Sequence, residues 1–204
     1  MDGAYLCDGN NCVLDFYWAA RRYSIEDGDW LPAINDSDNI FFIGNGGSHS
    51  VACHAASDVS RLTSKRCYSL DSASYLTSIA NDFSYNNIFM QWLEDYAIED
   101  SKSMVIGFSG SGNSKNVIST LALASDKYKF KTSLLSGQKS NCLPDYINEC
   151  IFDNHFFHVH EILCMLTFYQ LIHGTGNGCP TIKSELIRKG AHAESYRTKK
   201  YKEI

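Results

Sequence analysis

Residues 104–118 read Met-Val-Ile-Gly-Phe-Ser-Gly-Ser-Gly-Asn-Ser-Lys-Asn-Val-Ile. Met104, Val105 and Ile106 form an apolar run of the kind that fills a buried strand. The chain then breaks into Ser109-Gly110-Ser111-Gly112-Asn113-Ser114. An amphipathic helix follows, with Val117, Ile118, Leu121 and Ala122 on one face. A strand that stops at a Gly/Ser loop and restarts as a helix offers an anion free backbone N–H groups and the positive end of the helix dipole. The glycines permit close backbone approach, and Ser109, Ser111 and Ser114 add hydroxyl donors. An ordinary Ser/Gly turn between strand and helix has the same composition, so these residues alone leave phosphate binding and a plain connection open.

The same alternation recurs along the chain. Candidate strands occur at 39–43, 66–70, 104–108, 131–135 and 147–152, the first and third of them apolar runs. Helical spacing is found at 13–23, 30–34, 49–62, 72–79, 88–96, 114–127 and 159–172, with a further short helix near 181–190. Strands alternating with helices predict an α/β fold, a parallel sheet covered on both faces. Ligands of such folds sit at the carboxyl ends of the strands. Two of these ends carry Gly/Ser/Asn loops, 44–48 and 109–114. The segment 159–172 is apolar nearly all round, which predicts a buried helix, within the chain or between subunits.

Composition narrows the function classes. The 204 residues, 44% of them hydrophobic, suffice for one domain with an extension. A net charge of −5 argues against nucleic acid as the main partner. No stretch reaches the roughly 18 uncharged apolar residues that span a bilayer, so no membrane partner is expected. Met-Asp-Gly-Ala-Tyr at the start lacks the features of a secretory signal, and a cytoplasmic location is the expectation. The eight cysteines are scattered without a CxxC pair, which argues against a structural zinc knot; most read as small apolar residues.

Ile-Phe-Phe-Ile-Gly-Asn-Gly-Gly-Ser at 40–48, Asn-Asp-Phe-Ser-Tyr at 81–85 and Ser-Gly-Ser-Gly-Asn-Ser-Lys-Asn-Val at 109–117 occur in an order that resembles the sugar isomerase (SIS) domain, and within it the phosphoheptose isomerases. The resemblance runs from about residue 39 to 172. It implies a flavodoxin-like parallel sheet sandwiched by helices, with an N-terminal helical segment at 1–38, the SIS domain at 39–173 and a C-terminal extension at 174–204. It also implies a homotetramer with active sites between subunits. The implied reaction interconverts sedoheptulose 7-phosphate and D-glycero-D-manno-heptose 7-phosphate through an enediol, for surface heptose biosynthesis.

Carried over by position, the resemblance makes Ser109, Ser111 and Ser114 phosphate ligands. It gives Asn45, Gly46, Ser48 and Asp82 to the sugar. His54 and Asp58, four residues apart on one helix face, become zinc ligands, with Asp58 also the catalytic acid/base. Asp58 replaces a family Glu and is one methylene shorter. Gly110 stands where the family often has Thr. On the last helix, Phe157 and Met165 occupy the positions of a Gln and a His that complete the metal site and supply the second acid/base. His158 and His160 read as satisfied buried or interface histidines. Those departures keep two other readings open: a non-catalytic SIS domain that binds a sugar phosphate or a protein partner, and an isomerase of another phosphosugar.

Overall fold

The computed structural model describes residues 30–99 and 101–177. The expected helices at 13–23 and near 181–190 lie outside them. Helix α1 (Trp30–Asn35) leads into β1 (Asn39–Gly44), α2 (Gly47–Leu62) and β2 (Arg66–Ser69). Helix α3 (Ala73–Asp82), a 3-10 turn (Tyr85–Asn87) and α4 (Ile88–Tyr96) precede β3 (Ser103–Ser109). Then come α5 (Lys115–Asp126), β4 (Lys131–Ser136), β5 (Asn148–Ile151) and α6 (Phe157–Gly174). All the strands expected from the sequence are present, shifted by one or two residues at their ends.

The five strands pair in the order β2-β1-β3-β4-β5, and every pairing is parallel. This is the flavodoxin-like order, whose direction of growth reverses between β1 and β3. β1 and β3 are buried at every position, as the continuous apolar runs required. Alternate side chains feed two cores. Ile40, Phe42, Met104, Ile106 and Phe108 pack with α2 and α6 on one face. Phe41, Ile43 and Val105 pack with α4 and α5 on the other. Ile34 of α1 is buried in the first core, so the chain joins that layer before residue 39.

Helix α6 departs from its expected burial. Val159, Leu163, Phe168, Leu171 and Ile172 face the first core, but Phe157, Ile162 and Leu166 are exposed. The helix is apolar on both sides, and among the described residues only one of them is packed against the core. Its burial is therefore one-sided here. Among the described residues no helix is long and apolar enough to cross a membrane. The five described cysteines are free thiols, with Cys164 buried and Cys142 exposed.

Gly107 fixes how closely α5 approaches the sheet. A Cβ there would lie 2.6 Å from Val117 Cγ1 and 3.2 Å from Leu121 Cδ1. Gly107→Val should lower stability by about 1–3 kcal/mol through overpacking, read as a lower urea midpoint at unchanged slope.

Candidate functional site

The register pairs Gly44 with Phe108, so the loops leaving β1 and β3 emerge side by side. Between them lies a cleft of about 290 Å³. Asn45, Gly46 and Ser48 line one wall; Ser109, Ser111 and Ser114 line the other. Six of the expected site residues are thus brought together at the point where the strand order reverses.

The serine loop is held by its own hydrogen bonds. Ser109 Oγ donates to Ser114 Oγ at 2.9 Å and accepts from the Ser114 N–H at 3.4 Å. Ser111 Oγ accepts from the Asn113 N–H at 3.2 Å. Gly112 has φ +69°, and the carbonyl oxygen of Gln138 occupies the space a Cβ would need. Ser114 is the residue before α5, so the loop ends on free N–H groups at the positive end of that helix.

The two walls are tied to each other. Asn45 and Asn116 exchange amide hydrogen bonds, 2.9 Å in each direction. Asn116, in the first turn of α5, is buried. The Tyr85 hydroxyl donates to Asn45 Oδ1 at 3.0 Å. Asn116 lay in the quoted motif but carried no signal of this role, because its partner is 71 residues away. Asp82 does not line the cleft. It is exposed near the end of α3, where Asn81 Nδ2 donates to its Oδ1 at 2.9 Å, three residues before Tyr85.

His54 and Asp58 lie together on α2 but outside this cleft. Their Nε2 and Oδ2 are 3.6 Å apart. The Tyr169 hydroxyl sits between them, 3.1 Å from His54 Nε2 and 2.9 Å from Asp58 Oδ2. Arg61 approaches Asp58 Oδ1 at 3.4 Å. A catalytic zinc site takes three protein ligands. No third His, Cys, Asp or Glu joins this pair among the described residues. The donor set within one chain therefore does not fit zinc.

Helix α6 closes the cleft. Phe157 and Glu161, one helical turn apart, both line it. A Cβ on Gly110 would lie 2.7 Å from Phe157 Cδ1, so the ring rests on the serine loop where a larger residue would collide. A Cβ on Gly47 would overlap the carboxylate oxygens of Glu161. Glu161 is the only Asp, Glu, Lys or Arg of α6. A lone charge in an apolar helix was the signal that could have singled it out.

His160 and His158 differ. His160 is 1% exposed, its ring stacked near Phe152 and its Nε2 3.4 Å from Cys164 Sγ. Burial pushes its pKa down to about 4, and the Cys164 thiol is pushed well up by the same cause. The expectation of a satisfied buried histidine holds for His160, whereas His158 is exposed.

No family model matches the chain. A phosphoheptose isomerase of Geobacter metallireducens is 33% identical over 125 residues, 58% of this chain and 64% of that protein. One of Helicobacter pylori is 34% identical over 114 residues, 53% of this chain and 58% of that protein. Over these stretches the chain is similar to phosphoheptose isomerases. It spans less than two thirds of the length of these curated relatives. Its fold superposes on the phosphoheptose isomerase structure from Neisseria gonorrhoeae with a TM-score of 0.66 at 21% identity, covering 80% of this chain and 92% of that one. The Vibrio vulnificus NanR protein complexed with ManNAc-6P aligns at a TM-score of 0.53 and 15% identity, over 94% of this chain and 68% of that one. These structural likenesses bear out the flavodoxin-like parallel sheet sandwiched by helices.

His160 makes stability pH-dependent. Its folded pKa is below the unfolded value of 6.5, so the unfolded chain binds the extra proton between pH 6.5 and about 4. Stability should fall over that window as pH falls, by about 3 kcal/mol from this group. Urea midpoints at pH 7 and 4.5 measure the loss, and His160→Gln should reduce it.

Proposed function

We propose that the protein is a sugar-phosphate isomerase of the phosphoheptose type, interconverting sedoheptulose 7-phosphate and D-glycero-D-manno-heptose 7-phosphate for surface heptose biosynthesis. The carrying observation is the cleft at the β1/β3 switch point, walled by Asn45, Gly46 and Ser48 on one side and the Ser109–Ser114 loop on the other. The phosphate binds the serine hydroxyls and the N–H groups at the start of α5. The sugar hydroxyls meet Asn45, Ser48 and the backbone of Gly46.

An aldose–ketose interconversion needs a carboxylate that removes and returns a proton, and a donor for the enediolate oxygen. The proposal includes a homotetramer with sites between subunits, supported by the exposed Ile162 and Leu166 on α6. In that assembly His54 and Asp58, absent from this chain's own cleft, serve a site that a neighbouring copy completes. No step is routed through zinc, since the described residues of one chain bring only two donors together.

A second reading, binding of a sugar phosphate without turnover, is favoured by Phe157 and Met165 at the positions where the family resemblance expects Gln and His. A turnover assay with sedoheptulose 7-phosphate separates the two. Appearance of the aldose supports the isomerase; saturable binding without product supports the second reading. Ser111→Ala should raise the Kd for the sugar phosphate about tenfold, the loss of one hydrogen bond to a charged group, measured by calorimetry. An unchanged Kd would count against the phosphate cradle.

A further inference from the structure

Helix α6 lays two side chains across the mouths of both loops. Phe157 rests on Gly110 of the serine loop, and Glu161, one turn on, rests on Gly47 at the start of α2. The carboxylate lines the cleft and has no hydrogen-bond partner among the described residues. The phosphate end of a bound sugar is fixed at the serine loop, because a dianion beside Glu161 would be repelled. In a heptulose 7-phosphate the reacting carbons C1 and C2 are those farthest from the phosphate, so they extend toward Gly47 and Glu161.

We propose that Glu161 is the catalytic acid/base that this chain's own cleft contributes to the isomerisation. The inference rests on the isomerase reading above. His160, its sequence neighbour, is buried, neutral and turned to Cys164, and does not line the cleft. Met165, at the position where the family resemblance expects the second acid/base, carries no proton. Glu161 lies on the same helix one turn earlier and supplies the missing function. From the ketose, the carboxylate takes a proton from C1. The C1–H electron pair becomes the C1=C2 bond, and the carbonyl pair moves onto O2. The O1 proton passes to O2, and the carboxylic acid returns its proton to C2, which leaves the aldehyde at C1. No electrons enter or leave.

The test uses the full chain with sedoheptulose 7-phosphate in deuterated water. Turnover and deuterium incorporation, at C2 of the aldose and at C1 of recovered ketose, are followed by NMR, and sugar-phosphate affinity by calorimetry. Glu161→Gln keeps the shape and removes the base. It should lower both isomerisation and exchange at least about a hundredfold, with the Kd within threefold of wild type. Glu161→Asp, one methylene shorter, should retain more exchange than the Gln variant. Wild-type rates in Glu161→Gln, against an active wild type, overturn the role of Glu161 and leave the isomerase reading standing. A wild type that binds the sugar phosphate with neither product nor exchange overturns both.

Discussion

The parallel pairing of β1 with β3 is the constraint on which the rest of the molecule depends. Both strands are buried on both faces, so neither can slip by a residue without moving its apolar side chains into the wrong core. With Gly44 held opposite Phe108, the loops that follow must open next to each other. Each loop then runs into a helix, α2 or α5, and the two helix starts flank one cleft. Asn45 and Asn116 join the walls with a reciprocal amide pair, and because Asn116 is buried, leaving it unpaired would be costly.

Helix α6 converts that open crevice into a bounded one. Its core side packs Val159, Leu163 and Phe168 against the first core, which fixes its height above the strand ends. Phe157 and Glu161 are then delivered to the two loops by helical spacing alone. The glycines beneath them are matched to this delivery: Gly110 leaves room for a ring, and Gly47 leaves room for a carboxylate. Gly110 and Phe157 therefore fit one another, since a Cβ at position 110 would lie 2.7 Å from the ring. The other side of α6 leaves Ile162 and Leu166 exposed.

The layers of this protein were legible in the sequence because strand and helix periods are local. Residues 104–106 are an apolar run opening a strand at 104–108, and Val117, Ile118 and Leu121 repeat at helical spacing, so β3 and α5 could be read without their neighbours. The motif residues of the serine loop were equally visible, and the structure gathers them with Asn45, Gly46 and Ser48. Asp82, His54 and Asp58 were chosen by motif alone, and within one chain they stand outside the cleft. Nothing in the i, i+4 spacing of His54 and Asp58 revealed that Tyr169, more than a hundred residues on, would lie between them.

The sequence by itself determined the order of strands and helices, the glycine and serine chemistry of the two loops, and a net charge of −5. These follow from side-chain pattern and composition, which are properties of short stretches. Only the tertiary structure decided which loops share a cleft, that Asn116 clamps Asn45, and that Glu161 reaches Gly47. Each of those depends on strand register and on the packing depth of a helix, and both are set by contacts between residues far apart in the chain.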